Sequence, residues 1–180
     1  MPSPIAHVAV GYWISRSRLR QIPGDASPPA AGMWPTVAAV AFALLPDLDT
    51  LPAVLFRDFR GYHNNLTHSV LFCLAVLAAV FPVVQRWRPA EAGRWLAVAA
   101  LGLGTHLLMD FFTVGRGLML AWPFSASRFQ SPVKLFYGLQ WGAGFVSAVH
   151  IRTLVNEVAF VICGILFARL VRKRDSAAGQ

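Results

Sequence analysis

Thr36-Val-Ala-Ala-Val-Ala-Phe-Ala-Leu-Leu45-Pro46-Asp47-Leu48-Asp49-Thr50-Leu51-Pro-Ala-Val-Leu-Phe56 is an apolar run broken near its middle by a proline and two aspartates. The run is long enough to cross a bilayer core of about 30 Å. An ionised aspartate near the centre of a membrane helix costs roughly 2.5–3.5 kcal/mol on insertion scales. Something must offset that cost, and a divalent cation shared with other side chains is the simplest candidate. Pro46 can break the helix, and broken helices at membrane depth are tolerated where they line a polar cavity.

Three more stretches reach membrane length, at about 68–85, 94–114 and 153–171. A shorter one, Ile5 to Leu19, ends in Arg16, Arg18 and Arg20 and is read as a tilted span, a re-entrant helix or an interfacial helix. The expected fold is all-α: an integral membrane helical bundle with four long spans plus an N-terminal short helix, in one domain over 1–180. Composition agrees. Apolar residues make up 56% and charged residues 13%, against about 25% charged in soluble domains. The mean hydropathy is +0.54.

The net charge of +8 raises nucleic acid as a partner. The basic residues argue against it, because they fall in short clusters between apolar runs, as in membrane loops. Cys73 and Cys163 lie inside apolar runs and read as core or lipid-facing residues. No cleavable leader is expected, since Met1-Pro2-Ser3-Pro4 lacks a charged start. Residues 21–35 are a linker rich in turn residues, and the tail after Arg174 is expected to be disordered. The 115–152 segment is rich in glycine and aromatics, including Trp122, Phe129, Phe136 and Trp141. It reads as interfacial loops and short helices covering something.

Orientation follows from the basic clusters. Arg16, Arg18, Arg20, Arg86, Arg88, Arg94, Arg169, Arg172, Lys173 and Arg174 belong on one side, which is then cytoplasmic. The sparser Arg57, Arg60, Arg116, Arg128, Lys134 and Arg152 belong on the other. This places Asp47, Asp49, His63, His68, His106 and Asp110 near the outer, periplasmic face of an inner membrane, and His7 with them if the first stretch runs from outside to inside. Arginines and lysines alone set the orientation, yet it gathers the histidines and aspartates at one depth.

His106 and Asp110 are four apart on a predicted helix and share one face. Asp47 and Asp49 follow the proline, and Leu48 separates two carboxylates that can bend toward one site. His63 and His68 flank Asn64-Asn65-Leu66-Thr67, where Thr67 is the expected N-cap of the next span and Ser69 can orient a ligand. Each piece alone also reads as a capped helix end or a core histidine. Together they form a donor set of imidazoles and carboxylates suited to zinc, manganese or iron. Seven such groups exceed the needs of one tetrahedral ion, so one or two ions are expected. Asp49 and Glu157 are the candidate catalytic acids. Glu157, near the outer end of the last span, can also be a ligand or orient one, or pair with Arg152.

Pro4-Ile5-Ala6-His7, Leu45-Pro46-Asp47-Leu48-Asp49, His63 with Thr67-His68-Ser69, and Gly104-Thr105-His106-Leu107-Leu108-Met109-Asp110 together resemble the YdjM-type family. That family comprises membrane-bound, metal-dependent hydrolases, some of them LexA-regulated. The resemblance covers residues 4–113 and implies a metal centre in the inner membrane. Many members carry arginine where Asn64 stands here, and Arg60 or Arg116 is the candidate to replace it. A more distant likeness, to zinc-dependent phospholipase C, implies phosphoester chemistry by analogy of fold.

The expected function is metal-dependent hydrolysis, by water activated at the metal, of a lipid or lipid-linked phosphoester held in the bilayer. A metal or proton transporter is the runner-up, because intramembrane acids and histidines also mark ion pathways. A membrane scaffold that keeps a metal for stability is the third reading.

Overall fold

The structure, a computed structural model, describes residues 3–17, 33–140, 143 and 147–178. Arg18, Arg20, residues 21–32 of the linker, Trp141, Gly142, Gly144 and the last two residues of the tail lie outside them. The described residues form seven α-helices and no strand: α1 (Pro4–Arg16), α2 (Trp34–Leu44), α3 (Thr50–Leu55), α4 (Phe59–Tyr62), α5 (Val70–Trp87), α6 (Ala92–Phe111) and α7 (Val149–Ala178). Four stretches are long and apolar enough to cross a membrane: Trp34–Leu55, Val70–Trp87, Pro89–Phe111 and Val149–Val171. Helix α1, with 13 residues, covers about 20 Å at 1.5 Å per residue, less than the hydrocarbon thickness.

The first span is not one helix. Residues Leu45–Asp49 tighten into a 3-10 turn between α2 and α3. Pro46 has no N–H to continue the α-helical ladder and its ring crowds the preceding turn. Thr50 stabilises the turn by donating from Oγ1 to the Asp47 carbonyl at 2.7 Å. The second span begins later than expected, at Val70. Its N-cap is Ser69, which accepts from Phe72 N at 3.1 Å. The expected cap, Thr67, lies in a 3-10 turn, Leu66–His68, and its hydroxyl is used elsewhere.

Small residues let α1, α2 and α6 pack closely, the usual device between helices in lipid. A Cβ on Gly11 would meet Val40 Cα at 2.7 Å, and one on Gly102 would meet Phe42 Cβ at 2.8 Å. Ala39, Ala43 and Ala99 are fully or almost fully buried at the same seams. Trp13 of α1 lies directly over Gly164 of α7. Helices α5 and α7 leave most of their apolar side chains exposed, as lipid-facing helices do.

Over residues 115–140 the expected short helices are replaced by turns and two isolated bridges, Thr113 with Phe136 and Leu118 with Phe129. Glycines and prolines at 115, 117, 123, 132 and 138 deny this segment a helical run. Its buried Leu118, Ser131 and Phe136 seat it on the bundle. Thr153 and Asn156 of α7 donate to its Gly138 and Leu135 carbonyls.

Candidate metal centre

The 3-10 turn aims both aspartates inward, and Asp47 and Asp49 are each 7% exposed. Residues 63–69 bring His63 and His68 against them, and α6 brings His106 and Asp110 from the other side. His7, His68 and His106 are fully buried, and Asp110 nearly so. One ligand atom from each of Asp47, His68, His106 and Asp110 lies within 4.8 Å of the others, and the same holds for Asp49, His63 and His68. His68 belongs to both groups.

The distances in the first group are those of donors around a small cation. His68 Nε2 is 3.2 Å from His106 Nε2, 3.1 Å from Asp110 Oδ2 and 3.6 Å from Asp47 Oδ1. His106 Nε2 is 3.6 Å from both Asp47 Oδ1 and Asp110 Oδ2. Tetrahedral ligands at about 2.0–2.2 Å from zinc stand roughly 3.3–3.6 Å apart. Apart from these contacts with the imidazoles of the group, all four carboxylate oxygens of Asp47 and Asp110 are buried without a hydrogen-bond partner. Buried carboxylates are rarely left so, because the cost of desolvation is high. The buried His and Asp groups can hold a metal ion, and their donor set fits zinc, manganese or iron.

The outer contacts select which nitrogen each histidine offers. His106 Nδ1 lies 2.7 Å from the Ala43 carbonyl and donates to it, which leaves Nε2 facing the group. His68 Nδ1 lies 3.1 Å from Asp49 Oδ2, which again leaves Nε2. Asp49 is itself fully engaged. Its Oδ1 is 2.5 Å from His63 Nδ1, and its Oδ2 accepts from Asn64 N at 3.1 Å and Thr67 Oγ1 at 2.6 Å. This is the carboxylate–histidine arrangement that fixes a ligand's tautomer and orientation. Burial disfavours the His68 imidazolium, but Asp110, Asp47 and Asp49 outweigh burial and hold its pKa well above the usual histidine value. Carboxylates placed to hold a cation attract a proton in the same way.

His7 lies beside the four-residue group. Its ring stacks on His106, centroids 4.0 Å apart and 18° from parallel. Its Nε2 is 3.6 Å from Asp110 Oδ1, and neither ring nitrogen is hydrogen-bonded. His63 Nε2 is also unpartnered. Glu157, fully buried, belongs to neither group. It accepts from Ser3 N at 2.5 Å and from the Ser3 hydroxyl. Ser3 is the N-cap of α1, the helix that carries His7. Arg152 is exposed and is not its partner.

Three further assignments differ from expectation. Ser69 caps α5 and donates to the Leu66 carbonyl instead of orienting a ligand. Arg116 spends its guanidinium on backbone carbonyls, those of Arg60 at 2.9 Å, Phe59 at 2.7 Å and His63. Asn64 adopts φ +59° and contributes its backbone N–H to Asp49. Asparagine tolerates that left-handed conformation better than most residues. Arg128, which no motif singles out, donates to the Asn64 and Gly117 carbonyls at 3.3 and 3.0 Å and to Asn65 Oδ1 at 2.6 Å. Arg116 and Arg128 thus clamp the 115–130 segment over the loop that carries His63. Thr67, expected as a helix cap, instead donates its hydroxyl to Asp49 at 2.6 Å, and its place directly before His68 is what brings it there.

A profile of the YdjM inner membrane protein family matches residues 1–175. The inner membrane protein YbcI of Escherichia coli (strain K12) is 32% identical over 137 residues, which is 73% of each chain. No solved structure matches. The four apolar helices agree with a multi-pass protein of the inner membrane. The match runs through every segment that builds the His–Asp centre, from α1 into α7, and the chain belongs to the YdjM inner membrane protein family.

Proposed function

We propose that this protein is a metal-dependent hydrolase of a lipid-linked phosphoester, with its centre near the periplasmic face of the inner membrane. One observation carries the reading. Two buried carboxylates, with no hydrogen bond from outside the group, face two imidazole nitrogens whose opposite nitrogens are already engaged. Asp47, His68, His106 and Asp110 would hold one divalent cation, zinc first, with manganese or iron as alternatives. Such an ion supplies Lewis acidity to a substrate oxygen and lowers the pKa of water toward neutrality.

The chain's own groups do the rest. Asp49 holds His68 in register and, through His63, carries a second imidazole to the edge of the centre. His63 Nε2 is a nearby unpartnered nitrogen able to accept a proton from water or pass one to a leaving group. Glu157 holds the start of α1 and so the placement of His7. The sparse positive charge around residues 57–60 and 116–134 supports a periplasmic face. Burial of the centre among membrane-spanning segments supports a lipid substrate.

The test is metal analysis of the purified protein, followed by phosphoester and phospholipid turnover before and after chelation. We expect bound metal near one equivalent and turnover that chelation abolishes and metal restores. Metal flux in proteoliposomes, with no turnover of any phosphoester, would favour the transporter and overturn the hydrolase.

A further inference from the structure

A cleft of about 460 Å³ opens beside the metal centre, between the 3-10 turn and α3 on one side and residues 61–72 on the other. That volume falls within the range of roughly 300–1,000 Å³ typical of small-molecule sites. Leu48, Pro52, Leu66 and Phe72 give it apolar walls, and Asp49 and Thr67 lie at its inner side. Leu48 and Leu66, about half exposed, border its opening.

The polar side chains of Asp49, Thr67 and Asn65 in its wall are already partnered within the protein. Asp49 bonds to His63, Asn64 and Thr67, and Thr67 gives its hydroxyl to Asp49. Asn65 donates to the Arg60 and Gly61 carbonyls and accepts from Arg128. A polar ligand lying along this cleft would find few free donors or acceptors and would lose its own hydration. A hydrocarbon chain that arrives from the bilayer loses nothing on entering. At the inner end the situation reverses. Asp49 belongs to both the cleft and the second donor group, whose His63 Nε2 is buried and unpartnered, so an occupant must be apolar along its length and polar at that end. Two guanidinium groups stand against the segment that forms this wall: Arg128 donates to Asn65 Oδ1 at 2.6 Å, and Arg116 donates to the Phe59, Arg60 and His63 carbonyls. Their positive charge complements an anionic head.

We propose that this cleft seats one hydrocarbon chain of an anionic lipid substrate, which places the lipid head group at the His–Asp centre. The proposal rests on the hydrolase reading and adds the substrate's shape: a chain that lies between Leu48 and Leu66 at the opening, behind a head group at the inner end.

The test uses the full chain, metal-loaded, in phosphatidylcholine nanodiscs containing phosphatidic acid with a photoreactive diazirine on one acyl chain. Labelling should map to peptides spanning 45–52 and 61–72. Leu66→Trp should reduce it by about tenfold, because the indole ring fills the opening. Leu166→Trp, on the exposed face of α7, should leave it unchanged. If Leu66→Trp fails to fold, Leu48→Trp fills the same opening and is read in its place. Labelling spread along α5 and α7, or unchanged in the cleft variant, overturns the proposal. Metal content is measured on every sample. A wild-type protein that binds no metal sinks the hydrolase reading instead, whatever the label does.

Discussion

Oδ2 of Asp49 lies 3.1 Å from Nδ1 of His68, while the opposite nitrogen of the same ring faces Asp47, His106 and Asp110. Asp49 therefore acts on the centre through His68. Asp49→Ala should weaken metal binding by about 10- to 100-fold, the usual cost of losing a ligand's orienting partner. Binding should persist at raised metal concentration. Competition with a calibrated chelator measures this, and complete loss of binding would make Asp49 a direct ligand.

His106→Ala and Asp110→Ala remove donors from the four-residue group itself. Each also makes the span more apolar, so membrane insertion should be retained. Metal binding and turnover should both vanish while yield and helicity stay near wild type. Full turnover in either variant, on any substrate the wild type cleaves, would refute a catalytic metal at this site.

The pH dependence has a defined sign. The folded, metal-free chain raises the His68 pKa well above 6.5. The stability this contributes is complete below the unfolded pKa of about 6.5 and is lost as pH rises through the folded value. Metal must displace that proton, so apparent metal affinity should rise with pH across the same window. Calorimetry in buffers of different ionisation enthalpy should detect proton release on binding at pH 7. Binding without proton release would contradict the structure.

Glu157 and His7 should behave as one unit. Glu157 holds Ser3, the cap of the helix that carries His7. Glu157→Ala should disturb the centre no further once His7→Ala is present, so the two effects on metal affinity should fall well short of additive. A general base behaves differently. Glu157→Gln would then cut the rate by about 10²–10⁴-fold with metal affinity intact.

Gly102 links packing to the centre. A Cβ there would meet Phe42 Cβ at 2.8 Å and Ala43 N at 3.1 Å. Ala43 supplies the carbonyl that fixes His106. Gly102→Ala should cost about 1–3 kcal/mol in stability, as overpacked cores do. It should also weaken metal binding with every ligand still present. Thermal unfolding with and without metal separates the two effects.

Apolar runs and the placement of arginines made the four spans legible, because the bilayer imposes a length and a polarity on any helix that crosses it. The buried acids and histidines were legible as a set for the same reason, since charge inside an apolar run needs an explanation. Pro46 announced the broken first span. The distinction between Asp47 and Asp49 was not legible. Two residues apart in the same turn, they differ only in what arrives from elsewhere. Residues 63–67 surround Asp49 with donors, whereas Asp47 faces His68 and His106 with its oxygens unpaired. Glu157 likewise gained its partner from a residue 154 positions away. Arg116 and Arg128 met their backbone carbonyls only when the long loop folded back. Periodicity and composition are local properties of a chain and determined which spans form and which residues are candidates for the chemistry. Hydrogen-bond partners depend on which distant atoms come within 3 Å or so, and only the tertiary structure decided those.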